Sequence, residues 1–179
     1  KQNYSPSYRV ISKKYKELVE AVVALRNLDF EKKHIIISID GNSASGKSTL
    51  AENLANILNA EIVHCDDFFL PQEMRTEKRL TETGGNIHYE RLKEEVIENL
   101  RKPTVITYKA FDCSKNEFNK NRFLMNKKVI IIEGAYSSHP YFEDYADFKI
   151  FLKAQEETQR ERILKRNGEE MLKKFINEW

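Results

Sequence analysis

The stretch IIISIDGNSASGKSTL, residues 35–50, carries the most specific pattern in this 179-residue chain. An apolar, β-branched run ends at Gly41, and four residues separate that glycine from the Gly-Lys-Ser sequence at 46–48. A helix-forming segment follows. This order of strand, G-x-x-x-x-G-K-[ST] loop and helix is typical of a phosphate-binding loop. A chance Gly/Ser turn before a helix would explain neither flank, so the stretch predicts that the protein binds a nucleoside triphosphate.

Each residue type in the loop has a physical reason. Gly41 lets the chain leave the strand without a side chain in the way, and Gly46 lets backbone N–H groups close on phosphate oxygens. Lys47 supplies positive charge to the β- and γ-phosphates, the Ser48 hydroxyl can bind Mg²⁺, and the following helix points its positive end at the anion. The predicted nucleotide-binding residues are Gly41, Asn42, Ser43, Ala44, Ser45, Gly46, Lys47, Ser48 and Thr49.

The composition is that of a soluble, one-domain protein. Hydrophobic residues make up 40% of the chain and charged residues 32%, and the net charge of +2 is too small to indicate nucleic acid or an anionic membrane as the main partner. No apolar run approaches the roughly 18 residues of a membrane span, and the charged start of the chain lacks a signal-peptide core. Cys65 and Cys113 form neither a metal-binding spacing nor a disulfide framework. We expect a cytoplasmic protein; whether it forms a homo-oligomer stays open.

Strands and helices alternate along the chain, which predicts an α/β fold. Continuous apolar runs favour strands buried on both faces of a parallel sheet. The expected strands cover 35–40, 61–65, 103–108, 129–132 and 148–152. The expected helices cover 8–28, 47–59, 89–100, 156–166 and 169–179. We expect residues 72–85 to form a loop or lid and residues 109–127 to be irregular. We expect residues 1–34 to contain an N-terminal helix that docks on the sheet or, alternatively, binds a partner, and residues 35–179 to form the domain.

Carboxylates follow two of the expected strands. Asp66 and Asp67 come directly after one strand, and Glu133 follows another. Because the carboxyl ends of parallel strands share one edge of the sheet with the phosphate-binding loop, these side chains are candidates for chemistry. Asp66 is the candidate base, with a helix cap as the alternative. Glu133 is a candidate for binding Mg²⁺ through water, and Asp67 for either a metal-side role or a cap.

A run of basic residues lies in the helix that begins at residue 156. Arg162 and Arg166 are four residues apart and share one helix face, whereas Arg160 is turned away from Arg162. Such a charged run is often a solvated face. Phosphoryl transfer also needs positive charge on the transferred group, so Arg162 and Arg166 are candidates to supply it.

Four segments together resemble the uridine kinase and phosphoribulokinase family, most closely the bacterial uridine kinase-like proteins that carry a D-D-F-F-L-P segment. They are GNSASGKS at 41–48, DDFF at 66–69, GGNIHYERL at 84–92 and IEGAYS at 132–137. The similarity runs from about residue 35 to residue 179. The loop is specific to the superfamily, and the second and fourth segments narrow it to this family.

The resemblance implies a three-layer, nucleoside-monophosphate-kinase-like P-loop fold with helices on both faces of a parallel sheet. It implies that Asp66 is the base, that Arg162 and Arg166 belong to a lid, and that the acceptor pocket is lined from the regions of Asn86 and Tyr108. The family has a ribose-binding aspartate two residues after the asparagine, where this chain has His88. The resemblance thus implies that Asp66, His88 and Tyr108 contact the acceptor. In the segment after Tyr108, where uridine–cytidine kinases have a histidine that reads the base, this chain has no histidine. The resemblance also implies a final strand and an adenine-side loop that these 179 residues do not contain.

The expected activity is transfer of the γ-phosphoryl group of ATP, with Mg²⁺, to a hydroxyl group of a small molecule. The expected acceptor is the 5′-hydroxyl of uridine or cytidine. The alternatives within kinases are another alcohol, such as nicotinamide riboside, pantothenate or a sugar phosphate. Outside kinases, the alternatives are an NTPase or switch that needs no acceptor, and a silent binding module. A guanine-specific N-K-x-D segment is absent from the sequence, which argues against a GTPase.

Overall fold

The apolar runs of the sequence form a four-stranded parallel sheet, and two further strands form a separate antiparallel hairpin. The computed structural model describes residues 15–26, 28–102, 104–124 and 127–178. The strands are β1 (Ile35–Gly41), β2 (Glu61–His64), β3 (Ile106–Asp112), β4 (Glu117–Leu124), β5 (Val129–Glu133) and β6 (Phe148–Leu152). The sheet order is β2-β5-β1-β6, so β2 and β6 are its two edges.

Helices precede, connect and follow the strands of the sheet. They are α1 (Lys16–Leu25), α2 (Lys47–Leu58), α3 (Glu77–Leu80), α4 (Tyr89–Arg91) and α5 (Glu156–Glu178). The helical path of α4 continues as a π-helical turn (Leu92–Val96) and a 3₁₀ turn (Ile97–Asn99), and further 3₁₀ turns are Cys65–Phe68, Gln72–Met74 and Pro140–Phe142. In the part of the chain that the structure describes, no helix is both long enough and apolar enough to cross a membrane.

The register of the sheet brings the carboxyl ends of its strands together. Ile39 of β1 pairs with Glu133 of β5, and Glu133 also lies opposite His64 of β2. On the other side of β1, Gly41 pairs with Leu152 of β6. The residues that follow these four strand ends therefore share one edge of the sheet, which is where open α/β sheets bind their ligands.

Alternation along β1 divides the core into two halves, one on each face of the sheet. Ile35, Ile37 and Ile39 face α1 and α2, where their neighbours include Ala21, Leu25, Leu50 and Leu54. Ile36 faces the other way, into a cluster that includes Val63, Leu92, Val96, Leu100, Ile130 and Ile132. This arrangement confirms the predicted α/β class, with a parallel sheet covered on both faces.

The hairpin is a correction to the expectation for residues 109–127. The predicted strand at 103–108 begins at Ile106 and continues to Asp112, and β4 pairs with it antiparallel. Along β3, Ile106, Tyr108 and Ala110 are buried, with exposed residues between them. This alternation is typical of a half-buried strand. The polar residues of β4 concealed it, because one face of the hairpin is in solvent.

The helix predictions are confirmed for most of the described chain. α1 begins at Lys16, while the earlier part of the helix predicted at 8–28 falls before residue 15, outside the described residues. The expected loop at 72–85 contains a 3₁₀ turn and the short helix α3. α5 contains the predicted break, because Gly168 adopts non-helical dihedral angles (φ 80°, ψ 177°) within it.

Replacing Gly41 with alanine should lower the free energy of unfolding by about 3 kcal/mol. Gly41 has a φ of 143°, and a Cβ atom there would lie 2.1 Å from the Leu152 carbonyl oxygen in the paired strand. The matched control is Gly168→Ala, because that glycine also has a positive φ but nothing lies within 4 Å of its Cβ position. Urea denaturation measures both variants. Equal losses would show that the close approach of β6 to Gly41 contributes nothing to stability.

Candidate functional site

The loop between β1 and α2 is shaped by positive backbone angles. Ala44 has a φ of 56° and Gly46 a φ of 104°, and Gly46 stands at the N-cap of α2. The first backbone N–H groups of a helix have no partners within the helix. The first backbone N–H groups of α2 therefore lie directly at the loop, next to the carboxyl end of β1. This is the arrangement that binds phosphate groups at helix N-termini.

The Lys47 ammonium group is held inside the loop. It is buried, and its Nζ donates hydrogen bonds of 2.8 Å to the carbonyl oxygens of both Gly41 and Asn42. Desolvation lowers the pKa of Lys47, while the nearby carboxylates of Glu133, Asp40 and Asp66 act in the opposite direction. A positive charge with little water around it interacts strongly with an anion placed beside it.

Asp40, which the sequence analysis did not single out, fastens β1 to the segment that follows β5. Its two carboxylate oxygens accept hydrogen bonds of 3.0 Å from the backbone N–H groups of Tyr136 and Ser138. The side chain precedes the loop glycine, and no motif marked its role. Asp40 therefore fixes the position of the chain just after Glu133.

Ser48 and Glu133 form an oxygen-rich pair beside Lys47. The Ser48 Oγ donates towards both carboxylate oxygens of Glu133 at 3.3 Å, and Glu133 is buried while Ser48 is exposed to the cleft. A hydroxyl and a carboxylate are the hard oxygen ligands that Mg²⁺ prefers when phosphate groups and water complete its coordination. Within the described ranges, no group of three or more acidic, histidine or cysteine side chains forms a dedicated cation site. The Ser48–Glu133 pair thus fits a cation shared with a bound phosphate.

His64 is a contact that sequence reasoning missed. Its Nδ1 lies 2.5 Å from the Glu133 Oε1, across the β2–β5 register. The hydrogen bond to Glu133 raises the pKa of His64, and burial opposes that effect. The imidazole thus contacts the Oε1 of the Glu133 carboxylate, while the Ser48 hydroxyl lies 3.3 Å from both of its oxygens. The only sequence signal was its position at a strand end on this edge.

Asp66 faces the same cleft from the edge strand β2. It lies in the 3₁₀ turn that follows β2 and lines the cleft together with Lys47 and Glu133. Although its carboxylate keeps exposed surface, the walls of the cleft remove part of its hydration. This desolvation, followed by the Glu133 charge, raises the pKa of Asp66, while Lys47 and Arg166 act against the increase.

Arg162 and Arg166 both reach the cleft from α5, and Arg160 does not line it. The Arg162 Nη1 donates a 2.9 Å hydrogen bond to the carbonyl oxygen of Ala44 in the phosphate-binding loop. Arg160 instead pairs with Glu156 on its own helix at 2.6 Å. The spacing of four residues thus places two guanidinium groups over the loop, one of them close enough to influence Asp66.

Asp67 is engaged away from the Ser48–Glu133 pair. Its Oδ2 accepts a 3.0 Å hydrogen bond from the Tyr108 hydroxyl and forms a 3.1 Å ion pair with the Arg122 Nε. Tyr108 is buried and stacks on Phe68 with a 5.0 Å centroid distance. Burial raises the pKa of the Tyr108 phenol well above its ordinary value. The structure therefore groups Asp67 and Tyr108 with the hairpin, rather than with the metal-side oxygens.

His88, an expected acceptor residue, caps the helical turn that begins at Tyr89. Its Nδ1 accepts a 3.4 Å hydrogen bond from the Arg91 N–H and lies 3.2 Å from the Glu90 Oε2. Desolvation lowers the pKa of His88. The residues from this segment that do line the cleft are Asn86 and Ile87.

Backbone contacts between two segments hold the wall of the cleft that lies beside Asp66. Phe69 and Ile87 form an antiparallel bridge, and the Leu70 N–H donates to the Asn86 carbonyl oxygen at 2.9 Å. Phe69, Asn86 and Ile87 then line the cleft beside Asp66. The whole cleft, with a volume of about 1170 Å³, extends from this wall past the phosphate-binding loop to the arginines of α5.

Comparisons with known proteins agree with this geometry. The family model described as AAA domain matches residues 37–178. A cytidylate kinase from Mesomycoplasma hyopneumoniae is 30% identical over 159 residues, which cover 75% of this chain and 69% of that protein. A pantothenate kinase from Ligilactobacillus salivarius is 25% identical over 172 residues, which cover 85% of this chain but only 55% of that protein.

A solved structure, described as that of a possible uridine kinase from Bacillus stearothermophilus, shares the fold. The TM-score is 0.69 at 17% identity, over 90% of this chain and 92% of that one. The family match spans most of the chain and includes the phosphate-binding loop, the Asp66 turn and the arginines of α5. The chain therefore belongs to the AAA-domain family of that model, and its cytidylate kinase relative places it among the P-loop kinases.

Proposed function

We propose that the protein transfers the γ-phosphoryl group of ATP, with Mg²⁺, to a hydroxyl group of a small molecule, and that the acceptor is the 5′-hydroxyl of a pyrimidine nucleoside. The observation that carries the proposal is the position of Asp66. Its carboxylate shares one cleft with the phosphate-binding loop and the Ser48–Glu133 pair. A carboxylate without a role in binding phosphate, placed beside that loop, suits the orientation of an attacking hydroxyl.

The candidate site residues divide the steps of this reaction among them. The loop and Lys47 bind the phosphate groups, and Ser48 with Glu133 would hold Mg²⁺. When bound, the cation neutralises charge on the phosphate oxygens. Asp66 accepts a hydrogen bond from the acceptor hydroxyl and takes its proton as that oxygen attacks. Arg162 and Arg166 place positive charge over the transferred group, since most of the catalysis in phosphoryl transfer is positioning and charge stabilisation.

The residues that line the cleft beside Asp66 are suited to an alcohol that carries a flat ring. Phe69 and Ile87 offer apolar surface, and the exposed Asn86 side chain offers both a hydrogen-bond donor and an acceptor. The lysines and arginines that line the cleft lie in α1, the phosphate-binding loop, the Lys153 segment and α5, rather than in the segments of Asp66 and Asn86. This distribution favours an uncharged nucleoside. A second candidate, another alcohol such as pantothenate, is favoured by the similarity to the pantothenate kinase from Ligilactobacillus salivarius.

An acceptor screen tests the proposal. Purified protein is given Mg²⁺ and ATP with uridine, cytidine, cytidine monophosphate, pantothenate, nicotinamide riboside or a sugar phosphate, and ADP release is followed with mass analysis of the product. We expect acceptor-dependent ADP release with uridine or cytidine and a nucleoside monophosphate as product. Faster release with pantothenate would favour the second candidate. Equal release without any acceptor would overturn the kinase proposal in favour of an NTPase.

A further inference from the structure

The cleft extends in two directions from the phosphate-binding loop, and the sheet order defines both. β1 lies inside the sheet, with β2 at one edge and β6 at the other. Asp66 follows β2, so the acceptor and the transferred phosphoryl group belong on that side. The rest of a nucleoside triphosphate must then extend towards β6.

Side chains from three further elements line the cleft, and two of them, Leu18 and Leu152, pack against one hydrophobic cluster. These side chains are Lys16 and Leu18 of α1, Asn53 of α2, and Leu152 and Lys153 at the end of β6. Asn53 lies four residues after Thr49 of the loop motif, which is about 6 Å farther along the helix. This part of the cleft therefore begins where the phosphate groups end.

The start of α1 is brought to the cleft by packing of the rest of that helix. Ala21 and Leu25 are buried against Leu50 and Leu54 of α2, and Leu18 packs half-buried against the same cluster. Because residues three and four apart share a face of a helix, burial of Ala21 and Leu25 fixes the direction of Leu18 as well. The helix that precedes the phosphate-binding loop is thus part of the cleft wall.

The chemistry of this wall matches a nucleobase and its ribose. Leu18 and Leu152 offer apolar surface for a flat ring, the Asn53 amide can both donate and accept hydrogen bonds, and Lys16 and Lys153 bring positive charge. We infer that α1 forms one wall of the subsite for the base of the nucleoside triphosphate, with Leu18 against the ring and Asn53 at its polar edge. The inference rests on the proposed function, because that function places the triphosphate in the loop.

Calorimetric titration of the full chain with two probes tests this subsite. The probes are ATP and inorganic tripolyphosphate, each with Mg²⁺, because the second has the phosphate groups but no base. Leu18→Ala should raise the Kd of ATP about tenfold and leave the Kd of tripolyphosphate unchanged. The matched control on the same helix is Val23→Ala, since Val23 is 55% exposed and does not line the cleft.

Asn53→Ala provides a second variant in case loss of Leu18 weakens the packing of α1. Alanine has a high helix propensity, so α2 should still fold in this variant. The matched control is Asn56→Ala, because Asn56 is an exposed asparagine of the same helix. Asn53→Ala should also raise the Kd of ATP and leave the Kd of tripolyphosphate unchanged. An equal rise in the Kd of both probes, or an unchanged Kd of ATP in both variants, would overturn the inference. If the unsubstituted protein binds neither probe, it is the proposed function that fails.

Discussion

Replacing Asp66 with asparagine is expected to lower kcat by about 10²-fold or more, while the Kd of ATP changes little. The amide keeps the size of the side chain but cannot take the proton of an attacking hydroxyl. Asp66 lies outside the phosphate-binding loop and pairs with neither Lys47 nor Ser48, so nucleotide binding should not depend on it. The measurement is acceptor-dependent ADP release under single-turnover conditions, together with calorimetric titration of ATP.

The pH dependence of the same reaction gives an independent readout. The cleft wall and Glu133 raise the pKa of Asp66, so its deprotonated form is lost at a higher pH than for an ordinary aspartate as the solution is acidified. The acid limb of kcat/KM should therefore lie above the usual aspartate range, and Asp66→Asn should abolish it. The exposed Asp144, which pairs with Lys149 outside the cleft, provides the control Asp144→Asn. A retained limb in Asp66→Asn would assign the base to another residue.

The sequence predicted the elements that are determined by short, contiguous segments of the chain. The loop motif contains its own strand and helix, because an apolar run, two glycines and a Lys-Ser pair fix where β1 ends and α2 begins. Burial on both faces made β1 and β5 apolar runs, and parallel pairing brought Glu133 to the loop. The spacing of Arg162 and Arg166 predicted that they share one helix face, because helix geometry is regular, and the structure places that face at the cleft.

Residues whose direction depends on tertiary contacts were not predictable in this way. Asp66 and Asp67 are adjacent, yet the first faces the cleft and the second pairs with the hairpin. A 3₁₀ turn rotates neighbouring side chains by about 120°, and no motif states which of the two faces inward. His88 was assigned by analogy to a ribose-binding position; its ring caps the turn that begins at Tyr89, and its acceptor role stays a prediction. The hairpin that receives Asp67 could not be recognised from its polar second strand.

Replacing Lys47 with methionine should lower kcat/KM by about 10³-fold, with an intact fold. Methionine has similar length and no charge, so the buried space is filled and the cost of burying an ammonium group disappears. The activity is lost because phosphate binding is weakened. Without the positive charge of Lys47, the carboxylates of Glu133, Asp40 and Asp66 are no longer offset beside the loop. Acceptor-dependent ADP release measures the effect, and thermal unfolding checks the fold.

Two comparison variants separate charge from position at Lys47. Lys149→Met removes an exposed lysine of β6 that pairs with Asp144, and it should leave activity unchanged. Lys47→Arg keeps the positive charge, but a planar guanidinium cannot occupy the point between the Gly41 and Asn42 carbonyl oxygens, each 2.8 Å from the ammonium nitrogen. It should therefore lose most of the activity as well. Near-normal turnover in Lys47→Met would contradict the phosphate-binding assignment, whereas near-normal turnover in Lys47→Arg alone would show that charge at this point is sufficient.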